Sequence, residues 1–284
     1  SKFKYKIFKV SQIANDNTNY IDFSTPIVMG ILNITTDSFY DGGKFLTEDN
    51  IINQAQKIEN EGAKIIDIGA SSSRPGSTPV SEEIELERLI PTIKLIQKNT
   101  KDLKISIDTF RAKVAEECIK NGAHIINDIS AGEKDFKMFE TIINLDVPYI
   151  MMHMQGTSKD MQVNPTYNDV YSDIISFFEQ KVEQLQTKGF KKIIIDPGFG
   201  FGKTIEHNYE ILRKFKKFKK LNLPILAGIS RKSMIYNLLN VTSEEALNGT
   251  TVANTISLLN GANILRVHDV KEAVECIRIY EMIR

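Results

Sequence analysis

An excess of charge of either sign is missing from this chain. Over 284 residues, 36 Lys+Arg offset 36 Asp+Glu, so the net charge is zero. That leaves no basic surplus for nucleic acid or for an anionic membrane. The run Arg213-Lys-Phe-Lys-Lys-Phe-Lys-Lys is basic, but its spacing predicts a helix with Phe215 and Phe218 inward and the lysines in water. No stretch of ~20 apolar residues is present to span a bilayer, and the N-terminal Ser-Lys-Phe-Lys-Tyr-Lys lacks a signal-peptide core. Cysteine is scarce. Cys118 and Cys276 sit in helical patterns beside apolar neighbours, which predicts buried free thiols and fits a reducing cytoplasm. The four histidines are too dispersed for a zinc signature: His124 opens a strand at the structural end and His207 starts a helix. Two phosphate-binding fingerprints are also missing around Gly198–Lys203. A P-loop needs glycine where Pro197 stands, and a dinucleotide fingerprint needs it where Lys203 stands.

What remains is a repeated theme. Ile193-Ile-Ile-Asp196 reads as a strand buried on both faces that ends in a carboxylate, followed by Pro197 and a flexible loop carrying Gly198, Gly200 and Gly202. Comparable apolar strands occur at 27–34, 64–69, 104–108, 124–128, 149–153, 225–229 and 264–268. Helical patterns lie between them, among them 50–61, 111–121, 168–189, 206–219, 244–260 and 270–284. Eight strands alternating with helices over roughly 250 residues predict an α/β chain folded as a (β/α)8 TIM barrel. A doubly wound open sheet is the alternative. No Pro/Gly/Ser-rich linker divides the chain, so residues 1–284 read as one domain. Residues 1–25 form an alternating N-terminal β-hairpin extension, with an Asn15-Asp16-Asn17 turn, that covers one end of the domain.

In a barrel the C-terminal strand ends carry function. Those ends hold Asn33, Asp67, Asp108, Asn127, Asp128, His153, Asp196, Ser230, Arg266, His268 and Asp269. Asp67, Asp128 and Asp269 are read as structural or supporting groups. Asp108, Asn127 and Asp196 suit a heteroaromatic ring with amino and amide N–H groups, whereas Lys232, Arg266 and His268 suit phosphate or another anion. The expected ligand has a polar, nitrogen-rich ring at one end and an anionic part at the other. Two long loops follow strands 1 and 2, Thr35–Lys44 and Ser71–Thr78, and carry Phe39 and Arg74, which could close over it. Mg²⁺ on a phosphate needs few protein ligands, and Asn33 is a plausible single contact.

Eight short motifs then resemble one family in order: Gly30-Ile-Leu-Asn-Ile-Thr-Thr-Asp-Ser-Phe39, Ser73-Arg-Pro-Gly76, Ser106-Ile-Asp-Thr109, Ile126-Asn-Asp128, Met152-His-Met-Gln-Gly156, Asp196-Pro-Gly-Phe-Gly200, Ser230-Arg-Lys-Ser233 and Arg266-Val-His-Asp269. The chain closely resembles dihydropteroate synthase over nearly all of residues 27–284. The resemblance implies a folate-pathway transferase that joins 6-hydroxymethyl-7,8-dihydropterin diphosphate to 4-aminobenzoate, with Mg²⁺, sulfonamides as competing ligands, and a homodimer. It implies that Asp108, Asn127, Asp196 and Lys232 bind the pterin, that Met152 contacts substrate, and that Asn33, Arg266 and His268 hold diphosphate and its Mg²⁺. Ser73 would contact substrate, Phe39, Arg74 and Pro75 would close over it, Phe201 would line the aminobenzoate pocket, and Ser233 would take the carboxylate. Asp108, Lys232, Arg74 and Phe39 are the expected catalytic groups. Two departures stand out: Gly69-Ala-Ser-Ser-Ser-Arg74 replaces a usual Gly-Gly-Glu-Ser-Thr-Arg, and Thr36 replaces a usual Pro. A methyltetrahydrofolate-binding barrel would need neither Ser230–Ser233 nor Arg266–His268, and a purely structural barrel would need no converging charges.

Overall fold

The computed structural model describes residues 7–9, 20–34, 47–71, 79–156 and 165–284. The loop residues Phe39, Ser73, Arg74 and Pro75, and the turn expected at 15–17, lie outside the described residues.

Strands β1 (Ile7–Lys9) and β2 (Tyr20–Asp22) pair antiparallel, Ile7 opposite Asp22, and stand apart from the barrel. The barrel strands are β3 (Ile27–Asn33), β4 (Ile65–Gly69), β5 (Lys104–Asp108), β6 (Ile125–Asp128), β7 (Tyr149–Met152), β8 (Ile193–Asp196), β9 (Leu226–Ala227) and β10 (Ile264–Val267). All eight run parallel in the order β8-β7-β6-β5-β4-β3-β10-β9. Ile195 bridges to Ile225 in parallel register and its N–H donates to the Pro224 carbonyl at 3.0 Å, which brings β8 to β9 and nearly closes the ring. The expected eight-stranded barrel is therefore observed, and the open sheet is not. The seventh expected strand, 225–229, shrinks to two paired residues and one bridge.

Side chains alternate across each strand, and this alternation divides the apolar residues into two sets. One set, including Val28, Ile66, Ile105, Ile126, Met151, Ile195 and Leu265, faces out and packs against the helices. The other set comprises Ile27, Met29, Ile65, Ile125, Ile150, Ile194, Leu226 and Ile264 inside the ring, joined by Ile21 and Phe23. Phe23, 1 % exposed, follows β2 directly, so this connection plugs the N-terminal floor of the barrel. Two residues further along the same inward face stand Asp67, Asn127, Met152, Asp196 and Arg266. The apolar floor thus gives way to polar groups on going from the N-terminal to the C-terminal end.

The helices are α1 (Glu48–Asn60), α2 (Glu82–Asn99), α3 (Ala112–Lys120), α4 (Met138–Leu145), α5 (Val170–Gln186), α6 (Ile205–Lys214), α7 (Ser233–Leu239), α8 (Leu247–Leu259) and α9 (Val270–Met282). Side chains start several of them: Thr47 accepts from the Asn50 N–H at 3.3 Å and Ser81 from the Ile84 N–H at 3.4 Å. Thr204 and His207 form a reciprocal capping box on α6, so His207 is structural, as its position predicts. The helix expected over 206–219 ends at Lys214, and a 3-10 segment, Phe215–Leu221, follows; Phe215 and Phe218 are fully buried in it. Both cysteines are buried free thiols. Among the described residues, no helix is long and apolar enough to cross a membrane.

Candidate active site

The C-terminal ends of β4, β5, β6, β8 and β10 bring their polar residues into one cluster. Arg266 on β10 is its hub. Its Nε donates to Asp67 Oδ2 at 2.7 Å and its Nη2 reaches Asp108 Oδ2 at 3.4 Å. Asn127 Nδ2 donates to the same Asp67 oxygen at 3.0 Å. Asp67 is wholly buried, as its inward position in β4 requires. Removing it would strand a guanidinium and an amide, and breaking such a buried pair costs about 3–5 kcal/mol. The contact also orients Asn127: with its NH2 on Asp67, its Oδ1 is left as a buried acceptor without a partner among the described residues. Asp67 Oδ1 and Ser106 Oγ are likewise unmatched. An acceptor held in this way suits a ligand N–H.

Asp108 faces Asn127 across the β5–β6 register. Burial and the neighbouring Asp67 carboxylate push its pKa up to about 7, against the opposing pull of Arg266. Asp196 ends β8, and its Oδ1 accepts from the Gly198 N–H at 2.8 Å; burial raises its pKa while Lys232 opposes the rise. Lys232 lies just before α7. Its Nζ donates to the Phe199 carbonyl and sits 4.7 Å from the centre of the Phe201 ring. Burial lowers its pKa to about 8. Met152 is buried and pairs in register with Asp196, and Phe201 is half-buried.

Ser230 and His268 form the opposite rim. Ser230 Oγ accepts the His268 backbone N–H at 3.2 Å and lies 3.0 Å from His268 Nδ1. With the hydroxyl proton directed at Nδ1, the imidazole proton sits on Nε2, where it can meet an anion. Desolvation within the mouth and the adjacent Arg266 charge push the His268 pKa down to about 4, although the outer edge of the residue is exposed. His268 therefore acts as a neutral donor, and the cationic character expected of it belongs to Arg266 and Lys232.

Asp128 and Asp269 have the supporting roles their positions predict. Asp128 accepts from the Ser130 N–H and hydroxyl, the Gly132 N–H and the Tyr149 hydroxyl. Asp269 holds Arg231 through Nε at 2.8 Å and Nη2 at 2.9 Å. Arg231, at a left-handed φ of 54°, also donates to the Ser243 and Glu244 carbonyls. This clamp fixes the turn that directs Ser230 and Lys232 to opposite sides.

Asn33 stands exposed at the end of β3, beside Gly69; the position a Cβ on Gly69 would take lies 3.5 Å from Asn33 Oδ1 and 3.6 Å from Asp108 Oδ2. A neutral oxygen at the exposed rim, with a carboxylate on the other strand that flanks the same glycine, fits Mg²⁺ that takes most of its ligands from phosphate and water. Among the described residues, no three His, Cys, Asp or Glu gather into a self-sufficient metal cage.

Three supporting groups escape the sequence reading. Glu85, in the first turn of α2, is buried against Arg111, whose Nη2 donates to the Val80 carbonyl at 2.6 Å. Lys203 is buried against His153. Arg231 carries the clamp described above. Glu85 and Lys203 lie away from the strand ends, and Arg231 falls inside a quoted motif whose pattern gives it no role of its own.

Against known proteins, residues 29–268 match the family described as pterin binding enzyme. The dihydropteroate synthase of Escherichia coli K12 is 44 % identical over 263 residues, covering 92 % of this chain and 93 % of that one. The structure of the Yersinia pestis dihydropteroate synthase with a sulfonamide drug complex has a TM-score of 0.90 at 40 % identity, covering 98 % and 99 % of the two chains. The Xanthomonas albilineans dihydropteroate synthase in complex with 7,8-dihydropteroate has a TM-score of 0.83 at 32 % identity, covering 93 % and 95 %. With that likeness running through every strand that builds the mouth, the chain belongs to the pterin-binding enzyme family and, within it, to the dihydropteroate synthases.

Proposed function

We propose that the mouth joins 6-hydroxymethyl-7,8-dihydropterin diphosphate to 4-aminobenzoate by dissociative substitution. The observation that carries this reading is the Asp67–Arg266–Asp108 chain, flanked by Asp196 and Lys232, at one end of one barrel. Asp196, Asn127 Oδ1 and Lys232 supply acceptors and a donor for the ring's amino, amide and carbonyl groups. Arg266 and the Nε2–H of His268 face the diphosphate. Mg²⁺, held through phosphate oxygens and Asn33, would supply further neutralisation of charge on the leaving group.

The C–O bond to the diphosphate breaks first, and its electron pair leaves with the anion. Arg266, Lys232 and His268 stabilise that developing charge because they are already oriented in a partly desolvated site. The methylene left behind is cationic and shares its charge with the pterin ring. Ionised Asp108, held by Arg266, stabilises it electrostatically. The arylamine lone pair then forms the C–N bond, and its surplus proton passes to solvent. Sulfonamides would compete for the aminobenzoate position beside Phe201, where Ser233 at the start of α7 would meet the carboxylate. Phe39, Arg74 and Pro75 are assigned to closing that position, and Ser73 to contacting substrate, on the strength of the resemblance alone. A methyltetrahydrofolate-binding role has no leaving anion for Arg266 and His268 to meet.

Two further features belong to this reading. α8 is reversed: Val252, Ile256 and Leu259 face solvent while Thr250, Asn254 and Ser257 face the barrel, and Leu238 and Leu239 of α7 are exposed as well. An apolar face so arranged supports a homodimer. Two buried reduced thiols support a cytoplasmic location.

The test pairs wild type with Asp108→Asn. Wild type releases diphosphate and forms 7,8-dihydropteroate only when both substrates are present. The variant loses about 100-fold or more in kcat, because an oriented charge is removed from the transition state, while pterin affinity stays within about threefold. Equal losses in turnover and affinity would show Asp108 to be a binding group only.

A further inference from the structure

Of the buried charged groups that the mechanism leaves unused, Lys203 is the one bonded to the loop that carries Phe201. Lys203, 3 % exposed, ends the glycine-rich loop after β8. Its Nζ lies 2.9 Å from the Phe201 carbonyl, 3.3 Å from the His153 carbonyl and 3.1 Å from His153 Nδ1. Three acceptors match the three protons of an ammonium group. If all three are donated, His153 Nδ1 carries a lone pair and its proton is on Nε2. His153 itself ends β7 and is packed edge-on against Phe177 at 5.0 Å. Asp196 is the charge that answers Lys203, opposing the desolvation that draws the lysine down.

The surrounding backbone shows what this group holds together. Gly198 and Gly202 have φ of 72° and 63°, and a Cβ on either would overlap the carbonyl oxygen of His153 or of Gln155 respectively. The loop 198–203 is therefore pressed onto segment 153–155 with no room for side chains between them. The Tyr167 hydroxyl donates to the Gly202 carbonyl at 2.7 Å, and Gly200 N–H donates to Asn208 Oδ1 at 2.8 Å. Among the described residues, Lys203 and Asp196 are the charged side chains in these contacts, and of the two only Lys203 joins the loop to segment 153–155. One of the two carbonyls it grips is that of Phe201, whose ring stands against Lys232.

We infer that Lys203 is a positioning residue for the acceptor half of the site: it pins the β8 loop to the end of β7 and thereby sets where Phe201 meets the arylamine. This rests on the proposed function, and it separates the two substrates. Lys203 bonds the Phe201 backbone directly, whereas of the pterin groups only Asp196 feels its charge, without a hydrogen bond between them. Nothing in this role requires Lys203 to meet a reacting atom.

The test uses the full chain with Lys203→Met and Lys203→Gln. Lys203→Met is expected to raise KM for 4-aminobenzoate about tenfold or more, the scale of a wall displaced by a fraction of an ångström, with pterin diphosphate affinity within about threefold. Lys203→Gln keeps amide donors for the two carbonyls and falls between Met and wild type. A second readout is independent of activity: ¹⁵N spectra of wild type assign an unprotonated Nδ1 to His153 from pH 6 to 8, and Lys203→Met loses that fixed tautomer. The inference is overturned by an unchanged aminobenzoate KM, by parallel losses for both substrates, or by a protonated Nδ1 in wild type. The last measurement needs no variant, so it decides even if neither variant folds. A wild type that makes no dihydropteroate yet shows the fixed tautomer would overturn the proposed function and leave the pin in place.

Discussion

Asp108 and Lys232 have pKa values drawn towards each other, and the consequence at the residue scale is a narrow window of activity. Burial and Asp67 lift Asp108 to about 7, and burial lowers Lys232 to about 8. The mechanism needs Asp108 ionised, which holds above its pKa, and Lys232 protonated, which holds below its pKa. kcat/KM, which reports the free enzyme, should therefore rise up to about pH 7 and fall above about pH 8. Asp108→Asn removes the acid limb and leaves the alkaline one. A profile flat from pH 5 to 9 in wild type would contradict this assignment. Individual residues were legible in the sequence when they ended a strand: Asp108, Asn127, Asp196, Arg266 and His268 all lie at the mouth. Their partners were harder to read. The Asp67–Arg266 contact joins positions 199 residues apart, and no local pattern tells a tethering aspartate from a capping one. His268 was legible as a ligand group but not as a neutral one, because the desolvation that lowers its pKa is set by the packing of the mouth rather than by its neighbours in sequence.

At the scale of elements, the β8 loop departs most from its sequence. Three glycines within five residues read as a flexible loop, yet contacts with Asp196, Asn208, Tyr167 and Lys203 fix it. Here glycine serves close approach rather than motion. Gly198→Ala should destabilise the fold by about 2 kcal/mol or more, since a left-handed φ costs a side chain ~1–2 kcal/mol before any overlap with the His153 carbonyl is relieved. Thermal or denaturant unfolding checks this; a change below about 0.5 kcal/mol would mean that the loop yields easily. The helices show the same limit of local reading. α1, α3 and α9 were legible from their apolar periodicity. The sequence reading names neither α2 nor α4 individually, and for physical reasons: Pro91 interrupts the pattern of α2, and α4 has only eight residues. In α8 the periodicity is visible, but which face meets the barrel is not, since Thr250, Ala253 and Ser257 fill the contact that larger residues would be expected to fill.

For the whole molecule, eight strands alternating with helices made the barrel legible, because only a closed parallel ring turns every C-terminal end towards one mouth. The same ring sends the exposed apolar residues of α7 and α8 to its outside. Leu259→Glu should convert a sedimenting dimer to monomer while leaving the unfolding midpoint nearly unchanged; a wild type that sediments as monomer at micromolar concentration would rule out that association. The account as a whole depends on the mouth breaking the pterin C–O bond before the amine arrives. Positional isotope exchange tests this most directly. Pterin diphosphate carrying ¹⁸O in the carbon–phosphorus bridge is incubated with enzyme, Mg²⁺ and 4-nitrobenzoate, which fills the acceptor position without a nucleophilic amine. The account predicts that the label moves into the non-bridging oxygens of the same phosphorus, and that Asp108→Asn abolishes the movement. Label that stays in the bridge while the same enzyme turns over 4-aminobenzoate would contradict it.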